Sequence, residues 1–565
     1  MPQVVKSSKA MSQESITILT RLLAYFLMSA LTTVALLPLL SSGYYSDDLI
    51  NSTLNGQIGL ESSSLLKNLI GVNQHWIHAN GRFFPVASIM VLPVAYIFST
   101  LLTHKIFILM MIIVNVLLFS RFVETLTKNF FTGCLAVLTL PILFQFRLFH
   151  DPILSFSGMM QSFMTLTLLS LILFQEYLKR DRLYLIAASL FFYNLSLYFY
   201  EISIPLVLLF LILVIGNNSH VQLRPQLRKV LPYIASTACA LLIMGIARLM
   251  RDPATTGYDG ITLNFEAISI FKTLLVQISA AMPLSYYLFD PSNLFNGIGI
   301  GWPTLQDALS IAGFAAAYWY ISRRIIGGAV IKLLLLGITL LFFPALLTSL
   351  SLKYQKELRL GLGYLPVYVE YFGVGLVAVG LVAYLQRNLA GWSRHGFHLG
   401  VCTVLSLCLL LNLQNNRAVV TKANIDVHYR RAALVKSLEE NILEQVPDNA
   451  KLLILDEYVY DPQPAVRSDL RGWAETGYPW KNAALVYQFS QKRLQVMNAI
   501  SELRKYPASS DQQDVYLLTI KSYPHSMGIQ EGYVVLSQIN QIMIDETGNV
   551  RFQTLPLKSN FPPNK

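Results

Sequence analysis

Apolar runs of about 15 to 25 residues recur along the chain from Leu22 to Leu413, a length that crosses a bilayer when helical. In lipid, every backbone amide must find its partner within the protein, so such runs fold as helices. Only 13% of the residues are charged, against ~25% in a typical soluble domain. Mean hydropathy is +0.49. The chain therefore reads as a polytopic α-helical membrane protein of about 11 spans, with a small C-terminal α/β domain beyond them.

Basic residues set the orientation. Lys6, Lys9 and Arg21 precede the first run, so residues 1–21 read as a cytoplasmic N-terminus. That segment is polar and carries no small-residue cleavage site, which favours a retained anchor. Further cytoplasmic markers are Lys179 to Arg182, Arg224 to Lys229, Arg323-Arg324, and Arg387 with Arg394. The parity of these markers requires the stretch 86–101, weakened by Pro85 and Pro93, to be re-entrant or interfacial. The membrane domain then covers 22–413, with outer loops 41–84, 146–156, 251–303 and 351–365. Residues 414–565 follow as a soluble domain on the same outer side. There Lys451 to Asp456 and Asp514 to Ile520 read as strands, and Ile539 to Ile544 with Val550 to Leu555 as a hairpin.

The net charge is +11. Because the cations gather in short loops between apolar runs and no basic, aromatic-interleaved segment is present, membrane orientation accounts for them and nucleic-acid binding is set aside. The four cysteines lie in apolar runs, without disulfide or Cys/His metal spacing.

Chemistry-bearing residues concentrate on the outer side. Gly43-Tyr-Tyr45-Ser-Asp47-Asp48-Leu-Ile50 follows the first apolar run and puts two carboxylates at the mouth of a membrane helix. A carboxylate there serves as a general base toward an acceptor hydroxyl, as a ligand to a divalent metal, or as the cap of a loop helix. No cofactor is firmly implied. Trp76, His78 and Arg82 close the polar loop behind the pair. Arg82 suits a phosphate or a lipid head group, and Trp76 a sugar face or an interfacial belt. Arg147, His150 and Asp151 share a short loop that suits a phosphate leaving group or is a solvated turn ahead of Pro152. Glu201, beside Tyr200 between two apolar runs, needs a cationic partner, for which Arg82 and Arg147 are candidates. Lys353, Lys356 and Arg359 precede Tyr364, Tyr368 and Glu370, placing cations above a tyrosine-rich helix start. His395 and His398 read as cytoplasmic and incidental.

The many spans, the Tyr45-Ser-Asp47-Asp48 motif followed by Trp76 and Gly81-Arg82, and the outer C-terminal domain resemble the GT-C class of membrane glycosyltransferases. Within it the motif is most similar to bacterial O-antigen glucosyltransferases, which modify lipopolysaccharide at the cell envelope. It departs from the mannosyl and aminoarabinose transferases, whose acidic pair is usually Asp-Glu, and no Trp-Trp-Asp signature is present. The resemblance implies a sugar donor on polyprenyl phosphate and a hydroxyl acceptor on a periplasmic glycan, lipid-linked glycan or protein. It implies Asp47 or Asp48 as base, inversion at the sugar carbon, and Arg82, Arg147, Lys353 and Arg359 around the leaving phosphate. It also implies a bacterial inner membrane with the C-terminal domain periplasmic. A flippase or transporter for lipid-linked sugar, and a polysaccharide polymerase or ligase, are the competing classes. A flippase would use the same charges without a base, and inverted repeats would favour it; none is evident.

Overall fold

The computed structural model describes residues 18–147, 150–215, 227–252, 258–289, 303–325, 328–389, 391–458, 461–466, 479–497, 515–524, 533–544 and 550–555. Among them, seven helices are long and apolar enough to cross a membrane. They are Ile18–Ala35, Leu101–Thr127, Phe156–Arg180, Leu231–Leu249, Val330–Ser349, Val367–Asn388 and Gly391–Ala423. Five shorter apolar helices accompany them: Pro85–Ile97, Phe130–Leu143, Leu183–Leu197, Glu201–Ile215 and Ala267–Ala281. At ~1.5 Å per residue a helix of this kind reaches only about 20 Å, short of the ~30 Å hydrocarbon layer. The chain is a multi-pass membrane protein built on these helices.

Long helices at the edge divide into an exposed apolar stripe and a packed stripe. On Val330–Ser349, the exposed apolar residues Ile331, Leu335, Ile338 and Phe342 recur at helical spacing, while Leu333, Leu336, Leu340 and Ala345 are buried. Its packed face meets Val367–Asn388 through Gly337 and Gly373. A Cβ on Gly337 would stand 2.8 Å from the Gly373 carbonyl oxygen, and one on Gly373 would stand 2.7 Å from that of Gly337. Small residues let these two backbones approach, the usual basis of helix pairing in lipid.

Two stretches expected as loops are helical. The region 251–303 contains Ala267–Ala281, which buries Thr273, Gln277, Ala280 and Ala281 and leaves Ile268, Phe271 and Leu275 exposed. Ile278 is buried on the same face, so the packed side mixes apolar, small and polar residues while large apolar ones also point outward. The region 41–84 folds into three helices, Asp47–Asn51, Leu54–Leu60 and Leu65–Asn80. The stretch expected to be re-entrant is the 13-residue helix Pro85–Ile97, with Pro85 in its first turn and Pro93 inside.

The last helix, Gly391–Ala423, has 33 residues, about 50 Å of rise at ~1.5 Å per residue, so it extends well beyond the bilayer. Its polar segment is built in. Asn412 donates to the Pro141 and Phe144 carbonyls at 2.9 and 3.1 Å. Asn416 donates to Phe144 at 2.9 Å and accepts from the Phe146 N–H at 2.8 Å. These amides satisfy backbone groups left open where Phe130–Leu143 ends.

Through a π-helical turn, Asn424–His428, the helix runs on into Tyr429–Glu439 and the C-terminal sheet. The strands are β1 (Lys451–Tyr458), β2 (Asp461–Val466), β3 (Gln495–Met497), β4 (Val515–Pro524), β5 (Tyr533–Ile544) and β6 (Val550–Thr554). Their order is β2-β1-β4-β5-β6, with β3 also pairing β1. β1 and β4 are parallel, and β5 and β6 form the expected antiparallel pair, Ile544 facing Val550. A separate core of Leu434, Leu438, Leu452, Ile454, Leu485 and Leu518 supports the sheet.

Candidate active site

The acidic motif begins on a strained turn. Ser46 has φ 49° and ψ −130°, a conformation that costs a non-glycine residue about 1–3 kcal/mol. The turn starts the Asp47–Asn51 helix and separates the two carboxylates. Asp48 is fully buried, whereas Asp47 remains half-buried.

Asp48 is locked from three directions. Oδ1 accepts from the Ser157 backbone N–H at 2.5 Å and from its hydroxyl at 2.7 Å. Oδ2 lies 3.3 Å from His104 Nε2 and 4.0 Å from Lys105 Nζ. Burial by itself raises the carboxyl pKa, but His104, Lys105 and Ser157 outweigh it and hold the group below its ordinary value. Lys105 is itself enclosed, donating to the Leu154 carbonyl at 2.6 Å and lying 5.6 Å from the Tyr45 ring. Positive φ at Phe156, Ser157 and Gly158 turns the Ser157 N–H toward Asp48.

Tyr45 reaches the C-terminal side of the chain. Its hydroxyl donates to Asn424 Oδ1, which also accepts the Gly43 N–H at 3.0 Å. Asn424 Nδ2 returns a bond to the Ser41 carbonyl at 2.9 Å. One amide side chain thus clamps the approach to Asp47 and Asp48.

The loop after Phe130–Leu143 is organised by Asp151. Its buried carboxylate accepts the Arg147, Ile153 and Leu154 N–H groups at 2.6, 2.7 and 2.7 Å. Burial nevertheless pushes its pKa up, beyond what Arg147 and these donors restore. Asp151 therefore shapes the loop and is not presented to a ligand. Arg147 is buried too. It donates to the Ala280 carbonyl and lies 5.7 Å from the Tyr371 ring, while its Nε and Nη1 have no hydrogen-bond partner among the described residues.

Arg82 and Glu201 form a bidentate pair at 2.7 and 2.5 Å. The rings of Phe84, Trp76, Tyr258 and Tyr200 surround the guanidinium at 4.7 to 5.8 Å. This answers the need of Glu201 for a cation and commits Arg82 to it, so the guanidinium is not a free phosphate ligand.

From this pair a line of rings leads back to Asp48. Trp76 and Tyr258 lie 6.0 Å apart, and the Tyr258 hydroxyl bonds that of Tyr354. Tyr354 packs on Tyr364 at 4.2 Å, Tyr364 meets His150 at 5.3 Å, and His150 meets Phe156 at 6.4 Å, beside Ser157. Along this line opens a cavity of about 490 Å³, whose lining includes His150, Tyr354, Lys356, Glu357, Arg359 and Gly363, with Glu357 4.0 Å from Lys353. Lys353 stands over Tyr258 at 4.5 Å. Burial, with Lys353 nearby, holds the His150 pKa below its ordinary value. At neutral pH it lines the cavity as an uncharged imidazole.

Three expected site residues lie elsewhere. Tyr368 is fully buried in the helical core, stacked on Phe144 and hydrogen-bonded by Asn115 at 3.0 Å. His78 is exposed, and its carbonyl accepts from the Asp252 N–H at 2.8 Å. Glu370 is buried behind Gln277, which donates to it at 3.0 Å and accepts the Tyr364 N–H at 2.8 Å. It supports Tyr364 at one remove. No group of three or more His, Cys, Asp or Glu able to hold a metal occurs among the described residues.

His104, Lys105, Ser157, Tyr258 and Asn424 were not singled out from the sequence. The one available signal was Thr103-His104-Lys105, a basic pair at the head of a long apolar run.

No protein-family model matches the chain, and no curated protein matches its sequence. Among solved structures, the chain is similar to the crystal structure of ArnT from Cupriavidus metallidurans bound to undecaprenyl phosphate. The identity is 12%, the TM-score 0.34, and the match covers 91% of this chain and 97% of that one. A likeness this distant assigns no function.

Proposed function

We propose that this protein is an integral-membrane glycosyltransferase. It moves a sugar from a polyprenyl-phosphate donor to a hydroxyl of an extracytoplasmic glycan, lipid-linked glycan or protein, with inversion. The supporting observation is one juxtaposition. A half-buried carboxylate, Asp47, sits beside the locked Asp48, whose partner Ser157 follows Phe156, and Phe156 meets His150 at the edge of a cavity bearing Lys356 and Arg359.

In this mechanism the acceptor hydroxyl oxygen attacks the anomeric carbon as Asp47 takes its proton. The bond from that carbon to the phosphate oxygen breaks, and polyprenyl phosphate leaves. Lys356 and Arg359, with Lys353 behind them, offset the charge that develops on the departing phosphate. Asp48 keeps the Asp47 backbone in place and is not the base, since both its oxygens are engaged. Arg82 and Glu201 fix one aromatic wall, with Trp76 and Tyr200 available to a sugar face. The site faces the periplasm of a bacterial inner membrane, the N-terminus is cytoplasmic, and the C-terminal domain is periplasmic.

The test is turnover by the purified full chain in detergent, supplied with short-chain polyprenyl-phosphate sugars and read as release of polyprenyl phosphate. Asp47→Asn should lower the rate by about 10²- to 10⁴-fold while the protein stays folded. Passage of labelled lipid across a bilayer with no release of polyprenyl phosphate would replace the transferase by a transporter.

A further inference from the structure

The helices Leu305–Ser322 and Gly391–Ala423 pack side by side and create a second concave site. One end of the pair is tied by Arg417 to Asp307 at 2.6 Å. That end leads to Asn424 and the Asp47-Asp48 motif. At the other end, a cavity of about 230 Å³ is lined by Trp319, Arg323, Arg394, His395 and His398. His398 and Asn424 stand near opposite ends of the last helix, about 40 Å apart at ~1.5 Å per residue. The two sites thus lie on opposite sides of a ~30 Å hydrocarbon layer.

The lining is built for an anion. Two arginines and two histidines converge, and none of the lining residues is acidic. Arg323 lies 4.1 Å over the Trp319 ring, which orients its guanidinium. His398 is only 3% exposed; its Nδ1 lies 3.4 Å from the Tyr318 hydroxyl, and its Nε2 has no hydrogen-bond partner among the described residues. A buried, unpartnered ring nitrogen is costly to leave unsatisfied, and here it borders a basic cavity. Trp392, 94% exposed, stands at the start of the helix, as tryptophans do at a membrane–water interface.

The geometry points to a binding site for an anionic phosphate group, supplied by a phospholipid headgroup at the membrane face opposite the candidate active site. Arg323 and Arg394 take the phosphate oxygens, with His398 Nε2 as a further donor, and the acyl chains run along the exposed apolar face of the two helices. Basic pockets between membrane helices commonly hold anionic headgroups. The site is independent of the transferase reading.

The experiment measures thermal stabilisation and retained lipid, by native mass spectrometry, for the full chain in neutral detergent. The probes are short-chain phosphatidylglycerol, short-chain phosphatidylcholine and inorganic phosphate. Phosphatidylglycerol should bind at least about ten-fold more tightly than phosphatidylcholine, and Arg323→Gln or Arg394→Gln should each remove about ten-fold of that affinity. His398→Gln tests the buried donor. If inorganic phosphate saturates the site with the same effect, the ligand is a free phosphate and the site stands. Equal binding of the two lipids by the parent overturns the proposal without recourse to any variant. So does phosphatidylglycerol binding unchanged in both arginine variants.

Discussion

The carboxylate of Asp48 accepts both the backbone N–H and the hydroxyl of Ser157, at 2.5 and 2.7 Å, across 109 positions of sequence. This contact joins the motif after the first span to the turn that opens the Phe156–Arg180 span. It also makes the two adjacent acidic residues chemically unequal. Asp48 is a fixed part of the scaffold, and Asp47 is the carboxylate with access to solvent.

Asp48→Asn should therefore act on stability. The amide would leave His104 and Lys105 facing a neutral group and would set its own N–H₂ against donors. Breaking a buried charge pair of this kind costs about 3–5 kcal/mol. Melting in detergent should show a large drop for Asp48→Asn relative to the parent. A melting temperature equal to the parent's would show that Asp48 is not a structural anchor.

His428 gives the contact between the tail and the motif a pH dependence. Burial, then Arg431 and Lys105, hold its pKa down at about 4 against an ordinary 6.5. The folded protein keeps this imidazole neutral where the unfolded chain protonates it. Stability is thus fully present above pH 6.5 and is lost as pH falls toward 4, by at most about 3 kcal/mol. His428→Gln should flatten the melting curve between those values; a parent whose stability does not change there removes the basis of this prediction.

Gly43 is a close-approach position. A Cβ there would lie 2.4 Å from the Cβ of His428, and no rotation of the histidine side chain relieves a clash at its own first carbon. Gly43→Ala should loosen the tail at a cost of about 1–3 kcal/mol. Limited proteolysis should then release the C-terminal domain faster than from the parent, and an unchanged cleavage rate would contradict the packing.

For Arg82 and Glu201, a double-mutant cycle with Arg82→Lys and Glu201→Gln should return a coupling of about 1–3 kcal/mol. Both side chains keep some solvent contact, which trims the value. Lysine cannot reproduce the two-pronged geometry. Additive effects on melting would mean that the pair contributes little.

Lys356→Gln and Arg359→Gln probe the cavity. If both meet the donor phosphate, each should raise KM for the polyprenyl-phosphate sugar about ten-fold, with melting unchanged, because both side chains are exposed. Unaltered KM in both variants would move the phosphate site away from this cavity.

Much of the fold was legible because lipid imposes a simple rule. Apolar runs between the basic markers became helices, Val330–Ser349 and Val367–Asn388 among them. Ala267–Ala281 escaped because it lies inside a stretch interrupted by many polar and charged residues, and its packed face mixes Thr273 and Gln277 with Ile278 and two alanines. Leu183–Leu197 and Phe130–Leu143 are apolar helices too, but composition does not show that they stop short of a full crossing.

What the sequence determined by itself was the helical membrane architecture, four of the six described strands of the tail, and the placing of an acidic pair at the mouth of the first span. Hydrophobic length and local propensity act over neighbouring residues, so they can be read without contacts. Only the tertiary structure decided which aspartate is locked, that Arg82 belongs to Glu201, that Tyr368 is core, and that His104, Ser157 and Asn424 belong to the site. Those assignments depend on contacts between segments such as 45 and 424, or 48 and 157. Such pairings follow from how the helices pack, and no local signal in the chain carries them.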